Sequence, residues 1–301
     1  MKLKAWMQAA RPRTLPLAFS SALMGSFAAL NEGKFSGLIL TLALVTTLFL
    51  QVLSNFANDY GDAISGLDHK NRVGPARAVQ SGAISPSAMK TAMVVSSLGA
   101  LISGLWLIYE GFENLVSPIA LLFLLLGLGA IASAIRYTVG RRPYGYYGLG
   151  DLFVFLFFGI VGVTGTFFLH THQLPPQIIW PTLMVGLLSV AVLNVNNMRD
   201  MQSDAAAGKR SIAVRLGFKR SKTYHTLLVG SALVSLLIYI VNYMKDTLSL
   251  LPLAFALPWF GLHLARVWKT QENPHLDPEL KKVALGTFVT TLLIGLAIAM
   301  S

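Results

Sequence analysis

Five aspartates and several neighbouring amides stand where the chain leaves two long apolar runs. In "NFANDYGDAISGLD", Asn55, Asn58, Asp59 and Asp62 fall at i, i+3, i+4 and i+7, one face of a helix. Asp68 follows, past Gly66, which lets the chain turn. In "NVNNMRDMQSDAAAGKRS", Asn197, Asp200 and Asp204 fall at i, i+3 and i+7, and Gly208, Lys209 and Arg210 come next. The stretch from Leu42 to Ser54 carries no charge, so the first cluster closes an apolar segment. Carboxylates at membrane depth are costly and mark function.

Donor sets made only of oxygen suit hard divalent cations, and Mg²⁺ binds through a few carboxylates together with substrate phosphates. Two facing clusters have ligands for two or three such ions against a diphosphate. Arg72, Arg77, Lys209 and Arg210 then supply charge-assisted hydrogen bonds to phosphate oxygens. The competing account makes these acids ordinary loop residues neutralised by nearby Lys and Arg. That account suits one aspartate better than two matched clusters. His69, His170, His172, His225, His263 and His275 show no ligand spacing beyond the His170–His172 pair and read as solvated or packed.

The elements that carry these clusters must cross a membrane. The chain has 301 residues, of which 54% are hydrophobic and 12% charged. Its mean hydropathy is +0.61. Soluble domains carry about 25% charged residues, so this is an all-α polytopic membrane protein. Cysteine is absent, which excludes disulfides, iron–sulfur clusters and thiolate zinc sites.

Apolar segments of about 20 residues predict nine transmembrane helices in a bundle around a central cavity. They fall at 14–31, 37–59, 87–109, 115–137, 148–169, 177–199, 222–243, 247–268 and 279–300. No separate soluble domain is evident, so residues 1–301 read as one integral-membrane domain.

Charge fixes the orientation. With the N-terminus inside, the inner segments hold 22 of the 24 basic residues, leaving only Lys34 and Lys245 outside. The positive-inside rule then puts the C-terminus outside, and a bacterial cytoplasmic membrane is the expected location. A net charge of +11 therefore reflects topology and attraction to anionic headgroups, with no nucleic acid implied. Two long inner loops, after the second and sixth spans, carry the unusual polar chemistry and read as functional.

"NDYGDAISGLD" and "DMQSDAAAGKRS" resemble the two Asp-rich motifs of the UbiA superfamily, the intramembrane aromatic prenyltransferases. The resemblance covers the whole chain. "RPRTLPLA", "NRVGPARAVQSGAI", "YTVGRRPYGYYGLGDLFVFLFFG" and "GKRSIAVRLG" are similar to the branch that prenylates 1,4-dihydroxy-2-naphthoate in menaquinone synthesis. In the first motif five residues separate Asp62 from Asp68, where many superfamily members have three.

The resemblance implies transfer of a polyprenyl group to that naphthoate, with loss of diphosphate and of the ring carboxylate. It implies Mg²⁺ held by Asp59, Asp62, Asp68, Asp200 and Asp204, with Asn58 and Asn197 orienting ligands. Arg141 and Arg142 become candidates for phosphate, in place of a lysine of relatives. Asp151 would seat the aromatic acceptor or pair Arg141 or Arg142. Tyr60, Tyr137, Tyr144, Tyr146 and Tyr147 are candidates to face an allylic cation, although aromatics near helix ends also serve as interfacial anchors. Two rivals stay open. One is another phenolic acceptor such as 4-hydroxybenzoate; the other is an ion-coupled transporter, since intramembrane acids also line ion pathways.

Overall fold

The computed structural model describes residues 2–64, 77–244, 247–271 and 273–301, and among them there is no β-strand. A short helix α1 (Lys2–Ala10) precedes α2 (Leu15–Asn31), α3 (Gly37–Ile64), α4 (Pro86–Phe112) and α5 (Pro118–Arg136). The next crossing has three pieces: α6 (Gly150–Val154), a π-helical run Phe155–Gly165, and α7 (Thr166–Thr171). Then come α8 (Ile179–Arg199), the short α9 (Met201–Ala206), α10 (Ile212–Tyr243), α11 (Leu251–Lys269) and α12 (Asp277–Met300).

Helix starts follow local chemistry. Ser85, Ser117 and Ser211 each accept the backbone N–H three residues on, and Pro86 and Pro118 occupy the position after the cap. A serine oxygen satisfies an orphan amide, and proline has none to satisfy.

Among the described residues, eight helices are long and apolar enough to cross a membrane. The remaining expected span, 14–31, is α2, a helix of 17 residues. At 1.5 Å per residue that is about 25 Å, just short of a typical hydrocarbon core.

The loop after the sixth span is shorter than its polarity suggests. α9 occupies part of it, and α10 begins at Ile212, ahead of the expected start at 222. The basic residues Arg215, Lys219 and Arg220 are therefore helical, and the chain bends at Gly217 (φ 74°), a conformation that favours glycine.

The bundle pairs α3 with α4, α8 with α10, and α2 with α12. α8 is central: 72% of its most apolar stretch is buried, against 6% in α5. One apolar core gathers residues of α2, α8, α10, α11 and α12, including Met184, Leu188, Leu236, Phe260 and Ile294. A smaller one joins α1, α3 and the start of α4 around Leu53, Phe56 and Met89. Residues near the ends of α3 and α8 line one cavity.

Candidate active site

The first motif begins with residues that hold the chain in place. The Asn55 amide donates to the Ala10 carbonyl at 2.8 Å and to Thr14 at 3.2 Å, fastening the end of α1 to α3. Asp59, 2% exposed, accepts the backbone N–H groups of Ala78 and Val79, one on each oxygen, at 3.0 Å. That carboxylate shapes the turn at 77–84 and so delivers Arg77 to the next acid along the helix. The Arg77 guanidinium pairs with Asp62, and the Tyr146 hydroxyl donates to the other Asp62 oxygen at 3.4 Å.

Gly61 lets this face close. A Cβ there would lie 2.8 Å from the Thr138 carbonyl oxygen, so α3 touches the backbone after α5 directly. The Thr138 hydroxyl bonds the Ala57 carbonyl at 3.0 Å and Asn58 Oδ1 at 3.2 Å.

The second motif supplies the facing wall. α8 ends at Arg199, and Asp200 leaves helical geometry at φ −92°, ψ 7°. Arg199 sends Nε and Nη2 to the two oxygens of Asp200 at 2.7 and 2.6 Å. Lys209 Nζ lies 2.8 Å from Asp204 Oδ2, and the Lys209 amide donates to the Asp204 carbonyl at 2.9 Å. The Arg210 amide bonds the Tyr146 carbonyl at 2.9 Å, which ties this loop to the tyrosine-rich segment.

Between the walls lies a cavity of about 60 Å³. It is lined by Asn58, Asp62, Arg77, Tyr137, Tyr146, Asn196, Asp200, Asp204 and Lys209, together with Arg11, Thr138, Ser203 and Ala207. Opposite charges crowd together here, Asp62, Asp200 and Asp204 with Arg11, Arg77 and Lys209. Burial lowers the Lys209 pKa, but Asp204, then Tyr137 and Asp62, outweigh it and hold the ammonium above the usual lysine value. Burial pushes the Asp204 carboxyl above the usual range; Lys209 opposes this, while Asp200 and Asp62 reinforce it.

The structure therefore brings Asn58, Asp62, Arg77, Tyr137, Asp200, Asp204 and Lys209 together, as the motifs suggest. Other expected residues stand elsewhere. Asp59 faces backbone amides and does not line the cavity. Asn197 is 3% exposed in the packing of α8, and Asn196 takes its place at the cavity. The one-face spacing assumed a helix running through Asp204, and the helix stops at Arg199. Arg141, Arg142 and Arg210 are exposed and do not line the cavity. Asp151 pairs with neither Arg141 nor Arg142; it accepts the Tyr224 hydroxyl at 2.9 Å. Of the five candidate tyrosines, Tyr137 and Tyr146 reach the cavity. Asp68 and Arg72 lie outside the described residues. Spacing along the chain does not single out Arg11, Asn196 or Arg199; the signal for Arg199 is its place next to Asp200.

A helical bundle of this hydropathy, with an acid- and cation-lined cavity where two helices end, defines a polytopic membrane protein. Residues 18–277 match the UbiA prenyltransferase family, and the chain belongs to it. A 1,4-dihydroxy-2-naphthoate octaprenyltransferase of Haemophilus influenzae is 42% identical over 299 residues, covering 99% of this chain and 96% of that protein. The Escherichia coli protein of the same name is 40% identical over 300 residues, covering 100% and 96%. A UbiA homolog from Archaeoglobus fulgidus, solved bound to GPP and Mg²⁺, shares the fold with a TM-score of 0.66. That match is 15% identical and covers 98% of this chain and 99% of that one.

Proposed function

We propose that this chain transfers a polyprenyl group from polyprenyl diphosphate to 1,4-dihydroxy-2-naphthoate, with loss of diphosphate and CO₂, giving demethylmenaquinone. The observation that carries the reading is the meeting of both acidic motifs with Arg77 and Lys209 around one cavity, together with the two naphthoate octaprenyltransferases at 42% and 40% identity.

The donor set fits Mg²⁺. The carboxylates Asp62, Asp200 and Asp204 and the amides Asn58 and Asn196 offer hard oxygens and no sulfur. Among the described residues no three carboxylates or histidines converge closely enough to hold a metal alone. Mg²⁺ commonly takes only one or two protein carboxylates, with waters and substrate phosphate oxygens completing its shell. When bound, Mg²⁺ would neutralise charge developing on the departing diphosphate and so favour allylic C–O cleavage.

The chain's own groups do the rest. Arg77 and Lys209 turn from their carboxylates to phosphate oxygens. Tyr137 and Tyr146 present ring faces to the allylic cation. Asp151, held by Tyr224, seats the aromatic acceptor. The tail stays in lipid, while diphosphate and naphthoate arrive from the cytoplasmic side. The single domain crosses the membrane nine times, α2 included, with the N-terminus inside and Ser301 outside.

The decisive experiment gives purified membranes one prenyl diphosphate and a panel of acceptors. Product should form with the naphthoate, vanish with EDTA, and return with Mg²⁺ or Mn²⁺. Preference for 4-hydroxybenzoate would move the protein to another branch, and full activity in metal-free buffer would rule out the mechanism. Reporter fusions at Ser301 test the orientation; an inside location would overturn it.

A further inference from the structure

Asp277 belongs to neither acidic motif and does not line the cavity, yet a single guanidinium ties it to the site. It stands in the first turn of α12. Arg199, 3% exposed, donates Nη1 to Asp277 Oδ1 at 2.6 Å while its other two nitrogens hold Asp200. Nη2 also reaches Asn196 Oδ1 at 2.9 Å. On the far side, Arg13 Nη1 lies 3.8 Å from Asp277 Oδ2.

A carboxylate offers about four lone-pair sites. The Arg199 fork takes one on each oxygen of Asp200, and that carboxylate borders the cavity. The guanidinium is planar and its donors are fixed relative to one another, so the fork sets the direction of the carboxylate as well as its position. Asp277 has two consequences. It anchors the third nitrogen, which keeps the fork from rotating. It also draws part of the Arg199 charge away from Asp200. Without it, the whole positive charge would face Asp200 and weaken that carboxylate's attraction for a cation. Orientation and electrostatics therefore act in the same direction.

We propose that Arg199 and Asp277 are positioning residues for Asp200. Arg199 aims the carboxylate, and Asp277 holds Arg199 and shares its charge. The inference rests on the reading that Asp200 serves a metal–diphosphate complex. Partners that orient a ligating carboxylate typically change metal affinity about 10- to 100-fold when removed.

The test uses the full chain in detergent micelles, titrated calorimetrically with a preformed Mn²⁺–diphosphate complex, alongside Tm. Asp277→Asn keeps the size and removes the charge, and affinity should fall about 10-fold. Arg199→Lys keeps the charge and loses the fork, and should fall at least as far. Asp277→Glu should recover most of the wild-type affinity. If Asp277→Asn fails to fold, Arg199→Lys and Asp277→Glu carry the same comparison. Lowered Tm with unchanged affinity in these variants would make the pair purely structural and overturn the proposal. Asp200→Asn separates the two levels. If it binds the complex as wild type does, the reading of Asp200 itself fails. If it binds weakly while Asp277→Asn and Arg199→Lys bind normally, only the positioning role fails.

Discussion

Asp59 and Asp200 each come first among the acids of their motif, and the fold holds them in opposite ways. Asp59 gives both oxygens to the backbone amides of Ala78 and Val79. Asp200 gives both to the Arg199 side chain and still borders the cavity. At the end of α3 the work is divided: Asp59 builds a turn, the turn presents Arg77, and Arg77 meets Asp62. After α8 there is no such division, and Asp200 and Asp204 both face the cavity with a cation beside each. An aspartate fixed by backbone amides contributes architecture. One held by a side-chain cation at the edge of a cavity stays within reach of a ligand. Removing one negative charge should therefore have different results in the two places.

The largest effect belongs to the cavity acids. Asp62→Asn and Asp200→Asn keep side-chain size and remove one charge each from the cavity proposed to hold the diphosphate. Turnover should fall about 10²-fold or more, with every acceptor, because the lost stabilisation belongs to the donor step. Steady-state kinetics with two different acceptors checks this. A loss confined to one acceptor would assign these residues to ring recognition.

Asp59→Asn should break in another way. Asparagine offers one oxygen to two amides and turns an N–H₂ toward the second. Hydrogen bonds to a charged group contribute about 1.5–3 kcal/mol each, so folding stability should drop by about 2–3 kcal/mol. Turnover per folded molecule should fall far less than in Asp62→Asn. Reversible unfolding, paired with activity normalised to folded protein, separates the two. A stable Asp59→Asn protein with turnover as low as Asp62→Asn would return Asp59 to the metal site.

The same contrast explains what the sequence could reveal. The helices were legible because long apolar runs have few other ways to satisfy backbone polar groups in lipid. The two acid clusters were legible because carboxylates at such positions are costly. Partners were not legible. Spacing shows that Asp59 and Asp62 share a face, but not that one meets amides nineteen and twenty residues on while the other meets Arg77. Asn196 was hidden for a different reason: the helix ends at Arg199, so a face extrapolated through Asp204 selects the wrong amide. Asp277 was hidden by distance along the chain.

A smaller effect should follow from crowding the contact between α3 and the segment after α5. Gly61→Ala places a Cβ 2.8 Å from both the carbonyl oxygen and the hydroxyl of Thr138. Backbone must give way, and overpacking of this kind typically costs about 1–3 kcal/mol. Because Asp62 is the next residue, turnover should fall as well, though less than when its charge is removed. A drop in Tm with a modest loss of turnover supports this contact. An unchanged Tm would mean that the two segments stand further apart in the working protein.

The smallest effect tests the cations that sequence reading assigned to phosphate. Arg141 and Arg142 follow Gly140 in an exposed turn, and neither borders the cavity where Arg77 and Lys209 stand. Exposed charges interact through water and salt, and surface substitutions away from structural features usually change energies by less than about 0.5 kcal/mol. Arg141→Gln and Arg142→Gln should therefore shift KM for the prenyl diphosphate by less than about 3-fold, whereas Arg77→Gln should raise it by at least about 10-fold, as expected for a charge-assisted phosphate contact. Measuring all three at low and high salt sharpens the comparison, since a screened surface charge loses its influence as salt rises and a buried pair does not. A 10-fold rise in KM for Arg141→Gln that persists at high salt would mean that the turn after Tyr137 folds over the diphosphate once it binds, bringing Arg141 and Arg142 into the site.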